Sequence, residues 1–475
     1  MAMAIESTRT PPGPRGVPLF GNVLDAWKDP LGLMMTSWRE HGDVVKFKFG
    51  PFDYLFLNDP DAIHHVLVDN AKNYTKSRNY QGLKLVLGEG LVTSEGDTWR
   101  KQRKLVQPAF HRERLAGFAK SMVDDTASML ERWATRGPEA FDVHEEMLRL
   151  TFRIVGRTLF STDVEVDADR IGPAVSAAIH FANDYAEAIV RMPQWVPTPA
   201  NVRFKKAIAT LDELVLRIIA DRRKPNAAQP SDLLAMLMAA HDDETKEGMS
   251  DRQLRDEMMT IILAGHETTA NLLTWTWFLL SSHPDIARRL GAEVAEVLGD
   301  RAPSLDDLPR LKLTKMILEE SLRLYPPAWA FERQAIAADT IAGYHVTPKT
   351  IIGIAPYTLH RHPRYWENPE GFDPERFVPE RSEGRPKYAY LPFGGGPRFC
   401  IGNGFAMMEA QIIVAMIAQR HRLELVPGHP IVLDPQVTLR PKHGVRVTIG
   451  PQRATRSMPW PAAVAPLPDA IALTT

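Results

Sequence analysis

One long apolar segment limits the fold of this 475-residue chain more than any other part of the sequence. Ser250, with Gln253 three residues later, is typical of a helix N-cap, and Pro284 predicts the end of the same helix. A helix over residues 250–282 is about 50 Å long at roughly 1.5 Å per residue. Such a helix must cross most of a globular domain.

The middle of this helix, residues 258–280, is nearly all apolar, yet residues 266–269 at its centre read HETT. Ionisable groups are costly inside a single membrane span, which favours a helix buried in the protein core. Buried polar groups must be hydrogen-bonded or take part in chemistry. Thr268 is spaced to donate to the carbonyl of Ala264, and Gly265 weakens the same turn, so we expect a local distortion facing a ligand.

The only cysteine, Cys400, lies in the segment FGGGPRFCIG (residues 393–402). A single cysteine can form neither an internal disulfide nor a thiolate cluster for zinc or iron–sulfur. The three glycines let a backbone approach a bulky group, and a helix predicted over residues 401–419 would favour a thiolate at its N-terminus. With Arg398 nearby, the thiolate is interpreted as a metal ligand or a nucleophile in preference to a buried inert thiol; a nucleophile would need a base from elsewhere in the fold.

The same segment resembles the haem-binding loop of the cytochrome P450 superfamily, with matches at Phe393, Gly396, Arg398, Cys400 and Gly402. The resemblance implies the cytochrome P450 fold, mainly α with small β-sheets, in which haem b lies between the long central helix and the helix after the cysteine. It implies that Cys400 is the axial thiolate of the haem iron, which favours O–O cleavage. It also implies that Arg398 binds a haem propionate and that Phe393 packs near the sulfur.

Other haem-binding and structural residues follow from the resemblance. Trp99 and Arg103, four apart on a predicted helix, match a propionate-binding pair, although on their own they would equally form a solvated stack. Arg333 matches a further propionate-binding position. A buried structural network is implied for Glu320, Arg323 and Arg376.

Residues 264–269, AGHETT, resemble the oxygen-binding groove of the family. Ala264 and Gly265 are implied to leave room for dioxygen, and Glu267 and Thr268 to relay protons. Residues 74–94 are predicted to be irregular, and prolines break the helical pattern within residues 192–201. The expected substrate pocket is lined by Leu83, Val86, Leu87, Phe181, Tyr185, Ile261, Ala264, Ala328, Trp329, Ala330, Val437 and Thr438.

Composition and organisation add limits. With 44% hydrophobic and 24% charged residues and a formal net charge of −1, the chain is typical of a globular protein without a nucleic-acid partner. We expect a flexible N-terminus over residues 1–10, a single haem domain over residues 11–450 and a disordered Pro/Ala-rich tail over residues 451–475. Without a signal or membrane anchor, we expect a cytoplasmic, bacterial monomer.

The resemblance implies a haem-thiolate monooxygenase that inserts one atom of O2 into a C–H bond of a hydrophobic substrate. Medium- and long-chain fatty acids are favoured, ahead of terpenoids, polyketides and drug-like compounds. Electrons are expected from a ferredoxin or flavodoxin with its NAD(P)H-dependent reductase, since no nucleotide-binding motif is present. Residues 100–114, which are rich in Lys and Arg, fit either a solvated face or a docking surface for that donor. The alternatives are a peroxide-driven peroxygenase, a haem-thiolate isomerase and a non-catalytic haem sensor.

Overall fold

The computed structural model describes residues 9–451 except 138, 165–166, 189–190, 226–231 and 240–247. Helices predominate, and the strands form small sheets, which confirms the predicted mainly α fold. The α-helices are Val23–Lys28, Pro30–His41, Pro60–His64, Tyr80–Leu87, Gly96–Val106, Arg112–Ala134, Val143–Leu159, Ala168–Glu187, Pro199–Arg222, Leu233–Ala239, Asp251–Ser282, Pro284–Leu298, Lys312–Leu324, Pro356–Leu359, Pro379–Ser382 and Asn403–Arg420.

The largest sheet has five strands, and an antiparallel hairpin around residues 50–51 forms one edge of it. In spatial order its strands are Val44–Phe49, Phe52–Leu57, Ile351–Ile354, Phe331–Ala335 and Tyr74–Thr75. A three-stranded sheet contains Phe141–Asp142, Arg446–Pro451 and His421–Leu425. Two-stranded sheets pair Asp339–Ile341 with Tyr344–Val346 and Leu433–Pro435 with Leu439–Pro441.

The central helix, Asp251–Ser282, confirms the prediction from the apolar segment. The hydroxyl oxygen of Ser250 accepts a hydrogen bond from the Gln253 amide at 3.3 Å, and the helix ends before Pro284. It packs against the helices Val143–Leu159, Pro199–Arg222, Lys312–Leu324 and Asn403–Arg420. The many apolar side chains of the central helix are buried against these neighbouring helices.

No helix in the described part of the chain is long and apolar enough to cross a membrane.

The segment over residues 74–94 is not wholly irregular, because Tyr80–Leu87 forms a helix. Gly82 in this helix allows close packing, because a Cβ there would lie 2.2 Å from the carbonyl oxygen of Ala182 in the helix Ala168–Glu187. The glycines of this stretch indicated broken structure, but Gly82 brings two helices close together. The prediction of irregular structure was therefore wrong for the helix Tyr80–Leu87.

Other boundaries differ only slightly from those predicted. The helix after the cysteine is Asn403–Arg420 and not 401–419. The proline-rich break does separate two helices: the first ends at Glu187, and the second begins at Pro199. The expectations for residues 1–8 and 452–475 lie outside the described residues.

Candidate active site

A cavity of about 330 Å³ lies between the central helix and the loop around Cys400. It brings together residues that are far apart in the sequence but were predicted to share one site. These are Trp99, Arg103, Ala264, Gly265, Thr268, Arg333, Phe393, Arg398 and Cys400. The individual roles assigned to them remain predictions.

The loop that carries Cys400 is held tightly against the rest of the protein. The Cys400 amide donates to the carbonyl oxygen of Phe393 at 3.0 Å. Gly396 has φ +64°, and a Cβ there would lie 1.9 Å from the carbonyl oxygen of Leu67. A side chain is therefore excluded at Gly396 by both conformation and contact.

The thiol of Cys400 is open to the cavity, although it lies deep within the protein. Burial raises its pKa, while the amides of Gly402 and Asn403 and the guanidinium of Arg103 act in the opposite direction. The expected preference for a thiolate is therefore outweighed by burial in the free protein. A bound metal ion would reverse this, since a coordinating thiol loses its proton.

In the described part of the chain, no three His, Cys, Asp or Glu side chains come together as a protein-only metal site would require. A cofactor that carries its own metal ligands would suit such a site, with Cys400 as the ligand from the protein. The cavity wall also supplies cations that suit the acidic groups of such a cofactor, namely Lys76, Arg103, Arg333 and Arg398. These features fit an iron porphyrin with carboxylate side chains.

Arg398, and not Arg103, stacks on Trp99, while the role of Trp99 and Arg103 in binding a propionate remains a prediction. The guanidinium of Arg398 lies 4.0 Å from the centre of the Trp99 ring and donates to the carbonyl oxygen of Ser94 at 3.0 Å. Burial lowers its pKa to about 10. Arg103 instead donates to the carbonyl oxygen of Phe399 at 2.9 Å, which joins its helix to the cysteine loop.

Sequence reasoning missed several residues that line the cavity. Lys76 is the most important, because burial and the nearby charges of Arg333 and Arg398 hold its pKa well below the ordinary value. It lies in a stretch without a motif, so only the fold identifies it. The other missed lining residues include Tyr80, Leu91, Val92, Phe110, Thr260 and Phe405.

The central helix presents Ala264, Gly265 and Thr268 to the cavity. The Thr268 hydroxyl donates to the Ala264 carbonyl at 2.6 Å, as predicted from the spacing. Glu267 does not line the cavity; it is buried, and its Oε1 accepts a hydrogen bond from the Thr438 hydroxyl at 2.6 Å. Thr268 thus faces the cavity, and Glu267 stands behind it.

Of the residues proposed for the substrate pocket, Ile261, Ala264 and Ala328 line this cavity. Local contacts hold others elsewhere: Phe181 stacks on Phe204 at 4.1 Å, and the Trp329 indole donates to the Gln436 carbonyl at 2.7 Å. The proposed residues outside the described lining are Leu83, Val86, Leu87, Phe181, Tyr185, Trp329, Ala330, Val437 and Thr438.

Glu320, Arg323 and Arg376 form one buried ionic network. Arg323 donates to both carboxylate oxygens of Glu320 at 2.7 and 2.9 Å, and Arg376 donates to one of them at 3.1 Å. The Asp373 amide adds a fourth donor at 2.9 Å. The network joins the helix Lys312–Leu324 to the segment before the cysteine loop.

The cavity contains a single thiol, a wall of cations and, on the opposite side, a helix that carries a threonine. This combination is that of a haem-thiolate protein. The family model for cytochrome P450 matches residues 11–448. The chain belongs to the cytochrome P450 family, and its cofactor is haem b. It is a P450 monooxygenase, which uses O2, a hydrophobic substrate and redox partners.

Relatives match nearly the whole chain. Cyclooctatin synthase of Streptomyces melanosporofaciens is 41% identical over 90% of this chain and 92% of its own length. Cyclooctat-9-en-7-ol 5-monooxygenase of the same organism is 35% identical over 89% and 91%, respectively. Pentalenene oxygenase of Streptomyces avermitilis is 33% identical over 87% and 91%.

Proposed function

We propose that this monooxygenase hydroxylates an uncharged terpenoid, and the charges of the cavity lining carry the proposal. The described lining contains the cations Lys76, Arg103, Arg333 and Arg398 and no Asp, Glu or His. Arg103, Arg333 and Arg398 are expected to serve the haem, and Lys76 lies close enough to two of them for their charges to lower its pKa. The described lining residues on the central helix carry no charge, so a fatty-acid carboxylate placed against them would be buried without a cation beside it, which is costly.

The rest of the lining suits a hydrocarbon skeleton. Near the central helix it is mostly apolar, with threonine hydroxyls as the polar groups; the apolar residues there include Leu91, Val92, Ile261, Ala264, Ala328 and Phe331. The names of the three relatives refer to terpenoids, which supports the same substrate class. The preference for fatty acids expected from the sequence has no such support.

When bound, the haem iron supplies the oxygen-activating chemistry, and residues of the chain hold and protonate the reactants. Cys400 would bind the iron through its sulfur. The amides of Gly402 and Asn403 and the charge of Arg103 would stabilise the negative sulfur, since they already oppose the effect of burial on its pKa. The thiolate thereby keeps its negative charge inside a mainly apolar cavity.

Thr268 is proposed to hold the last proton donor beside the reacting oxygen. Its hydroxyl proton is directed to the Ala264 carbonyl, so its oxygen lone pairs remain free to accept a hydrogen bond from a water in the cavity. Glu267 would pass protons from behind once its bond to Thr438 opens. A positioned water would thus be protonated from the protein and not from bulk solvent.

The variant Thr268→Ala tests this role. We expect product per NAD(P)H consumed to fall about tenfold or more, because proton relays contribute at least that much to rate. Thr276→Ala is the matched control: Thr276 is on the same helix, and its hydroxyl bonds to the Leu272 carbonyl at 2.8 Å. Full coupling in Thr268→Ala would contradict the relay.

The substrate class is tested with a terpenoid alcohol and the carboxylic acid of the same skeleton, followed by the spectral change of the ferric haem. We expect the acid to bind at least about tenfold more weakly, which corresponds to about 1.4 kcal/mol for an unpaired charge. Medium- and long-chain fatty acids provide the comparison. Tighter binding of the acids than of the alcohol would overturn the proposal.

Separate redox proteins, a ferredoxin or flavodoxin with its reductase, are proposed as the electron source. The helix Gly96–Val106, which overlaps the basic segment 100–114, touches the cysteine loop through Arg103 and Phe399, and this brings its positive charge near the sulfur. Reduction rates that fall with ionic strength would support docking at this face, and salt-independent rates would favour a merely solvated face. Product formed with peroxide but not with NAD(P)H and redox partners would instead identify a peroxygenase.

A further inference from the structure

The cationic wall of the cavity contains more basic side chains than haem b has carboxylates. Lys76, Arg333 and Arg398 line the same cavity, and the charges of Arg333 and Arg398 lower the pKa of Lys76 in addition to the effect of burial. Haem b carries two propionates. Two propionates therefore cannot supply a separate carboxylate to each of these three basic side chains.

Glu95 supplies the missing negative charge from outside the cavity lining. Its Oε2 lies 2.5 Å from Nη2 of Arg398, and its Oε1 accepts a hydrogen bond from the Lys76 amide at 2.9 Å. One carboxylate therefore contacts one cation of the wall directly and fixes the backbone of a second. The motifs in the sequence did not single out Glu95.

Arg398 can keep this partner while it binds a propionate. A guanidinium has five N–H donors. One donates to Glu95 and one to the Ser94 carbonyl, and the Trp99 ring fixes the plane of the group. Three donors remain for other acceptors. Glu95 and a propionate can thus bind the same arginine together, and their charges act on the haem together.

We propose that Glu95 is a positioning residue that sets the charge at the propionate end of the site and thereby holds the reduction potential of the haem down. Reduction adds an electron, so a nearby negative charge opposes it. The proposal rests on haem binding by this cavity but not on the terpenoid substrate. Glu95 is partly exposed, with 37% of its side chain accessible, so its effect is screened but not abolished.

The test is a spectroelectrochemical titration of the haem-loaded Glu95→Gln variant without substrate. Glutamine keeps the side-chain length and can still accept from the Lys76 amide. We expect the midpoint potential to become more positive, with a roughly threefold to tenfold higher ferrous-to-ferric ratio at a fixed potential; a tenfold change corresponds to about 59 mV. The carbon-monoxide spectrum of the same sample checks that thiolate ligation is intact.

Two further variants keep the test decisive. Asp97→Asn removes a charge two residues away whose side chain is 84% exposed, so we expect no comparable shift. Glu95→Asp keeps the negative charge, so we expect it to keep the wild-type potential. This variant can still be titrated if Glu95→Gln retains too little haem. A wild-type potential in Glu95→Gln, an equal shift in Asp97→Asn, or a shift in Glu95→Asp equal to that of Glu95→Gln would overturn the proposal.

Discussion

The carboxylate of Glu320 is fully buried and accepts hydrogen bonds from Arg323, Arg376 and the Asp373 amide. Glu320→Gln keeps the size of the side chain but leaves two buried guanidinium groups without their counter-charge. Breaking a buried ion pair costs about 3–5 kcal/mol. Arg323 also donates to the backbone carbonyls of His360, Pro369 and Gly371, so we expect a loss near the lower limit, about 3 kcal/mol.

The assay is urea unfolding of the haem-loaded protein, followed by both far-UV circular dichroism and the carbon-monoxide spectrum of the reduced haem. Glu319→Gln is the matched control, because the adjacent Glu319 forms an (i, i+4) pair with Lys315, whose side chain is 55% exposed. Such a pair contributes only about 0.3–0.5 kcal/mol. If Glu320→Gln lost no more stability than Glu319→Gln, the buried network would not stabilise the haem-side core.

Two further predictions concern a buried carboxyl group of the central helix and the cysteine loop. Burial raises the pKa of Glu257 from 4.5 to about 7, so as pH rises the carboxyl group loses its proton first in the unfolded chain, and the folded state loses up to about 3 kcal/mol of stability between those two values. Glu257→Gln should therefore be more stable than wild type at pH 8 but not at pH 4. A difference in thermal unfolding that is the same at both pH values would contradict this. Gly396→Ala should abolish haem retention, because the new Cβ would clash with the Leu67 carbonyl. Gly394 also has a positive φ, but nothing lies within 4 Å of a Cβ there, so Gly394→Ala should lose only about 1–2 kcal/mol of stability. Equal haem content in the two variants would refute the steric argument.

Local sequence was enough for features whose cause is local. The apolar run with its cap and proline fixed the central helix to within a residue at its start, and the back-bond from Thr268 to Ala264 followed from helical spacing. The haem loop could be recognised from fixed residues over ten positions. At Gly82 the sequence could not distinguish a glycine that interrupts a helix from one that allows close contact between two helices.

The substrate pocket was the least predictable part of the site. Of the residues proposed for it, most lie outside the described lining, because contacts such as the stacking of Phe181 on Phe204 depend on how distant helices meet. Long-range contacts also decided that Arg398, and not Arg103, stacks on Trp99. The oligomeric state and the cytoplasmic location remain predictions.

The sequence by itself determined which reactive groups are available, because one cysteine in a glycine-rich segment and the polar residues 266–269 within a long apolar segment belong to the covalent structure. Only the tertiary structure decided the electrostatics, because it brings Arg398 together with Lys76 and Glu95, from which it is more than 300 residues away along the chain. Charges act through space, so their balance around the haem appears only when the distances between them are known.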